Sequence, residues 1–249
     1  MTRLSVNLNK IALLRNSRSI GIPHVLRAAE LSIIAGAQGI TVHPRPDQRH
    51  IRSGDVYALS DLLKDFLDVE LNVEGNPFPE FLEIVRKAQP AQCTLVPDAP
   101  NAVTSDHGWN LEEEARRLES IIAELRSLGT RVSLFMDASS DQWKIARDLG
   151  AERIELYTQP YAEAFSRQDY EKVFAMYGAA AKAAQSASLG VNAGHDLNLH
   201  NLGKFCQISG VLEVSIGHAL VADALEMGLS NAVRAYLTVL RSDFSQRVS

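Results

Sequence analysis

Three histidines and one glutamate of this 249-residue chain stand where short apolar runs stop: His43 after Ile40-Thr-Val, Glu74 after Leu71-Asn-Val, His195 after Val191-Asn-Ala-Gly and His218 after Ser215-Ile-Gly. An imidazole titrates near neutrality, and a carboxyl in a partly dry pocket can be raised toward it, so both types can pass protons between reacting atoms. His43 and Glu74 end consecutive runs with the same side-chain parity, which makes them neighbours around a rim and a candidate acid/base pair. Taken singly, each also fits a hydrogen-bonded core polar group; two on adjacent strand ends favour catalysis. His195 can deliver a proton to a leaving oxygen.

Charged neighbours surround these groups. The stretch GITVHPRPDQRH at 39–50 is stiff, because Pro44 and Pro46 push His43 and Arg45 into extended conformations. Arg45, Arg49 and His50, with Arg15 and Arg18 after the first run, form one candidate cationic patch. On the opposite side, Gly194 and Gly217 end two runs, and the second leads straight into a helical stretch from Ala219. Backbone N–H groups at such a turn and helix start commonly cradle a phosphate, and glycine lets the backbone come close. Two anion sites imply two phosphates. Surface arginines as a solvated face, and glycines as simple turn formers, are the alternatives. His24, His107 and His200 have no comparable placement.

The elements that must position these residues repeat along the chain. Extended runs occupy Leu4–Asn9, Ile40–His43, Val69–Glu74, Cys93–Pro97, Arg131–Asp137, Arg153–Thr158, Gly190–Gly194 and Leu212–Gly217. Helical patterns lie between them. Leu111, Ala115, Leu118, Ile122, Leu125 and Leu128 share one face, with Asn110 and Glu113 as a capping box and Gly129 as the stop. Ser140–Leu149 ends at Gly150, and Tyr170–Ala187 carries Val173, Phe174, Tyr177, Ala181 and Ala184 on one side. Eight such units in about 250 residues, with no linker or composition break, predict a (β/α)8 TIM barrel as a single domain over 1–249.

The runs alternate where fully covered parallel strands should be uniformly apolar. Val6, Val42, Val73, Leu134, Leu156 and Ile216 are apolar, whereas Asn7/Asn9, Thr41/His43, Asn72/Glu74, Ser133/Asp137, Glu155/Tyr157 and Ser215/Gly217 are polar or small. In a barrel the apolar set faces the helices and the other set faces inward. Burying that much polarity without a purpose would be costly, so the pattern predicts a polar, ligand-holding interior with its site at the strands' C-terminal ends. There fall Asn9, His43, Glu74, Asp137, Thr158, His195 and His218.

Composition narrows the function. The chain is 46% hydrophobic and 22% charged, as a soluble globular protein would be, and its formal charge of −5 without a basic stripe argues against a nucleic-acid partner. It contains no eighteen-residue apolar run and no signal-like N-terminus, which predicts a cytoplasmic protein with no membrane partner. Cys93 and Cys206 are far apart and read as buried thiols. No convincing metal-ligand spacing, Gly-x-Gly-x-x-Gly or Walker loop is present.

The motifs VNLNKIALLRNSR at 6–18, GITVHPRPDQRHI at 39–51, LNVE at 71–74, VSLFMDA at 132–138, VNAGH at 191–195 and IGHAL at 216–220 cover nearly the whole chain. Together they resemble the pyridoxine 5′-phosphate synthase family of the deoxyxylulose-phosphate-dependent vitamin B6 route. The resemblance implies a (β/α)8 barrel with extra helices, assembled as a homo-octamer, working without cofactor on phosphorylated small molecules. Its reaction would be the condensation of 1-deoxy-D-xylulose 5-phosphate with 3-amino-2-oxopropyl phosphate to pyridoxine 5′-phosphate, phosphate and water, a transferase by class. By motif match His43 and Glu74 would be general bases and His195 the general acid. Asn7, Arg18, Arg45, His50, Thr104, Gly217 and His218 would bind substrate, with Asn9, Lys10 and Asp196 completing the binding set. Apart from the resemblance, the segment Asp98 to Trp109 is a candidate to close over the site.

Three positions depart from the family pattern. Asn9-Lys10 stands where many members carry Asp-His, Tyr157 replaces a frequent His, and Asp196 follows His195 where Gly is common. Asp196 should repel a phosphate unless its side chain turns outward, and Lys10 can add a positive charge. Lys10 also opens a rival reading as the Schiff-base lysine of an aldolase-like enzyme; a noncatalytic phosphosugar-binding barrel is a third. Borohydride added with a keto-phosphate distinguishes the first two. The synthase reading expects no covalent adduct on Lys10 by peptide mass spectrometry, and an adduct there would establish the aldolase-like one.

Overall fold

A parallel strand with an oily outer face needs a helix over it, and a sheet avoids exposed edges by closing on itself. A computed structural model describes residues 1–100, 102 and 104–247, with their side chains up to Arg241. In chain order the elements are β1 (Arg3–Asn7), α1 (Asn9–Asn16), α2 (Val25–Ile34), β2 (Gly39–Val42), α3 (Ser53–Leu63), β3 (Glu70–Gly75), α4 (Pro79–Ala88), β4 (Gln92–Leu95), α5 (Leu111–Ser127), β5 (Arg131–Met136), α6 (Trp143–Asp148), β6 (Arg153–Tyr157), α7 (Gln159–Ser166), α8 (Glu171–Ser186), β7 (Gly190–Gly194), α9 (Leu202–Phe205), β8 (Val211–Ile216), α10 (His218–Met227) and α11 (Leu229–Arg247). The strands pair in parallel in sequence order, and β8 returns to β1 to close the barrel. This is the predicted (β/α)8 TIM barrel, with second helices after β1, β6 and β8. Among the described residues no helix is long and apolar enough to cross a membrane.

The outer parity is as read: Val6, Val42, Val73, Leu134 and Leu156 are fully buried and belong to the main apolar core under the helices. The inner parity meets most of its hydrogen bonding internally, although Gln92 Nε2 and Ser133 Oγ are buried without a partner. Ser5 and Thr41 share a bond of 2.7 Å between hydroxyls, Asn72 Nδ2 donates to Thr41 Oγ1 at 3.4 Å, and Thr94 Oγ1 donates to Asn72 Oδ1 at 3.0 Å. Below them, Asn192 Nδ2 reaches Gln92 Oε1 (3.4 Å) and Glu213 Oε1 (3.3 Å), while Arg131 Nε and Arg153 Nη1 donate to Gln92 and Asn192. At the N-terminal end Glu70 takes Arg3 at 3.1 Å and Arg131. Each buried group left without such a partner would cost about 1–3 kcal/mol.

Several local expectations are corrected. β1 ends at Asn7, not Asn9, because Asn7 Oδ1 accepts the Asn9 N–H at 3.0 Å and turns the chain into α1. The Asn110/Glu113 capping box does not form: the Leu111 N–H is taken by Gln142 Oε1 at 2.6 Å, and Asn110 Oδ1 accepts from Gln142 Nε2 at 3.2 Å. Gly129 does stop α5, with φ +80°. The interior is not polar throughout, because Phe135 and Tyr157 pack with Val96 inside the barrel as an apolar cluster of their own. Asp137 and Thr158 turn to backbone duty: Asp137 Oδ2 accepts from Gly108 N at 3.0 Å, and Thr158 Oγ1 donates to Gly194 O at 2.7 Å.

At the end of β3 a Cβ on Gly75 would overlap the Phe81 ring from α4. Gly75→Ala should therefore overpack this contact and cost about 1–3 kcal/mol. Urea denaturation should show a lowered midpoint, partly restored by adding Phe81→Leu; an unchanged midpoint in the single variant would contradict the packing.

Candidate active site

The C-terminal ends of the strands open into a cavity of about 480 Å³. Every residue expected to carry chemistry or bind substrate by motif match lines it except Arg18, which is exposed after α1 and lines none of the described cavities; Arg15, Asp137, Thr158 and Gly194, also expected there, do not line it. β1 and the start of α1 bring Asn7, Asn9 and Lys10; the β2–α3 loop brings His43, Arg45 and His50; β3 brings Glu74. Thr104 comes from the β4–α5 segment, His195 and Asp196 from the end of β7, and Gly217 and His218 from the start of α10.

Backbone bonds lock the first of these in place. Asn9 Oδ1 accepts the His43 N–H at 2.9 Å, tying the ends of β1 and β2. The His50 Nδ1 accepts the Ile51 N–H at 2.9 Å, so the neutral ring carries its proton on Nε2. Arg45, buried, donates to Asp98 Oδ2 at 2.6 Å and to Ala102 O at 3.0 Å, and Ser105 Oγ joins the same carboxylate oxygen at 2.7 Å. Arg45 thus fastens the β2–α3 loop to the 98–105 segment. Arg15 does not join the cationic patch: it pairs with both oxygens of Asp55 and donates to His50 O at 3.1 Å, a structural brace beneath the loop.

Gly194 also serves differently from expectation. A Cβ there would overlap the Glu155 carboxylate, so the glycine makes room for that side chain rather than for a ligand. At Gly217 a Cβ would meet Asn7 Cβ at 3.1 Å, which keeps the head of α10 close against β1. Glu155, 2% exposed and lining the cavity, is a site residue that motif reasoning left without a role. Its inward parity on β6, two residues before Tyr157, was the available signal.

His43 Nδ1 and Glu74 Oε2 are 3.9 Å apart, adjacent but not hydrogen-bonded. Burial and then the Arg45 charge hold His43 well below the usual imidazole value, and the same two causes take His195 down to about 4. His50 falls to about 4 through burial and Arg45. Burial, followed by the charge of Glu155, raises Glu74 well above the carboxylate range. These shifts favour the neutral forms of His43, His50 and His195 and the protonated form of Glu74. The near-neutral titration expected for both histidines is displaced downward. Lys10 stands exposed at the rim.

Fold and site together define a (β/α)8-barrel enzyme with proton-carrying side chains gathered at its mouth. Residues 4–242 match the family described as pyridoxal phosphate biosynthesis protein PdxJ. A relative named pyridoxine 5′-phosphate synthase, from Xanthomonas oryzae pv. oryzae (strain PXO99A), is 52% identical over 248 residues, covering 96% of this chain and 97% of the relative. One of the same name from Albidiferax ferrireducens is 52% identical over 242 residues, covering 95% and 96%. The chain belongs to the PdxJ family. Among solved structures, "Native KDPGal structure" superposes with a TM-score of 0.62 at 14% identity, covering 97% of this chain and 96% of that one. Phosphoribosyl anthranilate isomerase from Thermus thermophilus gives 0.58 at 15%, covering 97% and 99%. At these identities the likeness is one of fold alone.

Glu155 carries a measurable consequence. Burial and the nearby Glu213 push its carboxyl up to about 8, whereas the unfolded chain keeps the ordinary carboxylate value. Below that ordinary value both states hold the proton; between it and about 8 only the unfolded chain releases it, so stability is lost as pH rises through this window. Glu155→Gln removes the effect. Urea denaturation at about pH 5 and about pH 8.5 should show the variant gaining stability relative to the parent at the higher pH, and a difference independent of pH would contradict the buried, protonated carboxyl.

Proposed function

We propose that this chain is a pyridoxine 5′-phosphate synthase, joining 1-deoxy-D-xylulose 5-phosphate and 3-amino-2-oxopropyl phosphate into pyridoxine 5′-phosphate with release of phosphate and water. Membership of the PdxJ family and the shared name of its relatives support the activity. The observation that carries it in this molecule is convergence: His43, Glu74 and His195, from the ends of β2, β3 and β7, line one cavity together with Arg45 and His50 and with the Gly217–His218 start of α10. Arg45 and His50 suit one phosphate, and the Gly217–His218 head of α10 suits the second.

The condensation needs an amine to attack a ketone, a carbinolamine to lose water, a phosphate to leave and an aldol-like closure, each with a proton transfer. A neutral His43 beside a protonated Glu74 can take a proton from one atom and return one to another. His195, across the mouth, faces the leaving oxygen. The imidazoles are depressed largely by burial and by Arg45. A dianionic phosphate paired with Arg45 offsets that charge, so substrate itself moves the histidines back toward neutral titration. Glu155, lining the same cavity with its carboxyl pushed up to about 8, adds a neutral hydrogen-bond donor.

Nothing in the geometry favours Lys10 as a Schiff-base residue. It is exposed, and an imine-forming lysine is made nucleophilic by desolvation or a neighbouring cation in a closed pocket. The finer family properties belong to the same reading: a cytoplasmic transferase, one domain over 1–249, without cofactor, assembled as a homo-octamer. Leu13 and Leu14 on α1 and Leu225 on α10 are exposed apolar side chains that such an assembly would cover.

Purified protein given the two phosphorylated substrates should form pyridoxine 5′-phosphate, followed by its absorbance and by phosphate release. His195→Asn should lower kcat by about 10²–10⁴-fold with substrate binding retained. Absence of product from the parent, with phosphosugar binding intact, would support a binding protein instead, and full turnover in the variant would remove His195 from the chemistry.

A further inference from the structure

His195 is held more tightly than a proton carrier on a strand-end turn requires. Its backbone is left-handed, at φ +84°, and so is that of Asp196 at φ +59°. Neither is glycine, so this turn persists only where its surroundings fix it. The Thr158 hydroxyl shares its proton between the carbonyls of Gly194, at 2.7 Å, and His195, and the Thr158 N–H donates to Gly194 O at 2.9 Å.

The imidazole has its own support. The Phe135 ring from β5 lies 5.1 Å from it at 59°, and the Tyr157 ring from β6 lies 5.4 Å away at 80°, edge to face. The two aromatic rings are 5.5 Å from each other. Tyr157 is pinned in turn: its hydroxyl donates to Gln159 Oε1, Gln159 Nε2 donates to Glu163 Oε1 at 2.8 Å, and the Tyr177 hydroxyl donates to the Tyr157 carbonyl. Both rings point into the barrel, apart from the main core, among inward neighbours such as Ser133, Glu155 and Thr94 that are polar. Packing alone gives no reason for two aromatic residues at that depth.

We propose that Phe135 and Tyr157 are positioning residues whose packed pair of rings walls one side of the His195 imidazole and clamps it against its turn in one plane, so that its free nitrogen is aimed at the reacting atoms. A histidine χ2 is broad and roughly two-fold, so without walls the ring would sample several planes on its strained turn. Proton transfer depends on geometry before acidity, and a misplacement of about 1 Å costs up to about 100-fold. The charged and titratable groups facing the imidazole are Arg45 and His43 from the end of β2 and Glu155 from β6, with Asp196 next in the chain. The ring contacts of the imidazole are those with Phe135 and Tyr157. The clamp rests on the reading of His195 as a proton carrier.

The test compares Phe135→Leu, Tyr157→Leu, Tyr157→Phe and His195→Asn by steady-state kinetics with both phosphorylated substrates, and by the His195 imidazole NMR resonances of the free protein. Both Leu variants should lose about ten- to hundredfold in kcat, with KM changed by no more than about twofold. Tyr157→Phe, which keeps the ring, should stay within about threefold of the parent. The His195 ring resonances should move in the Leu variants as the neighbouring ring currents vanish. Phe135→Met, which keeps volume without a ring, replaces the Leu variant if that one fails to fold. Leu or Met variants with parental kcat, while His195→Asn is inactive, would overturn the clamp alone; a raised KM at parental kcat would do the same by assigning the rings to substrate binding. A fully active His195→Asn would overturn the underlying role of His195.

Discussion

Inside a closed cylinder of strands a polar side chain has no water to fall back on, and everything at this site follows from how that demand is met. Toward the N-terminal end it is met by ions: Glu70 between Arg3 and Arg131, Glu213 and Arg153 around Asn192. In the middle it is met by hydroxyls and amides, from Ser5 through Thr41 and Asn72 to Thr94. At the C-terminal mouth the mutual pairing runs out. His43 and Glu74 stand 3.9 Å apart without a bond, and Glu155 lines the cavity above its partners. A barrel that pairs most of its interior below this level leaves the last layer to a ligand.

The charge state of that layer is set by two opposed effects. Burial penalises whichever form is charged, so it keeps protons on the carboxyls and off the imidazoles. The guanidinium of Arg45 deepens the effect on His43 and His195. Asp98 holds Arg45 in a buried pair, which keeps that charge in place and joins it to the segment carrying Thr104 and Ser105. A dianionic ligand that engages Arg45 changes the potential felt by both histidines at once. Binding and proton readiness are thereby linked through one side chain.

The barrel and most of its mouth were legible because both rest on short-range periodicity. Alternation at Thr41/His43 and Asn72/Glu74 gives the inward face of two strands, and two proline-fixed residues give the loop between β2 and α3. What escaped depends on partners far away in the chain. The N-cap of α5 is supplied by Gln142, thirty-one residues from Leu111, and Arg15 is claimed by Asp55, forty residues away. Gly194 reads as an open turn until the Glu155 side chain is placed against it. Phe135 and Tyr157 sit on the polar parity of β5 and β6, and only the packing of His195 against both rings gives their size a reason.

On the proposed function, one cavity bounded by the ends of β2, β3 and β7 receives both phosphorylated molecules. The most direct measurement is a crystal structure of the protein soaked with 1-deoxy-D-xylulose 5-phosphate and inorganic phosphate. The predicted result is a sugar chain between His43, Glu74 and His195, its phosphate at Arg45 and His50, and the second phosphate at the Gly217–His218 end of α10. Density for the sugar phosphate in the separate cavity walled by Tyr57, Phe78 and Phe81, with the mouth left empty, would contradict it.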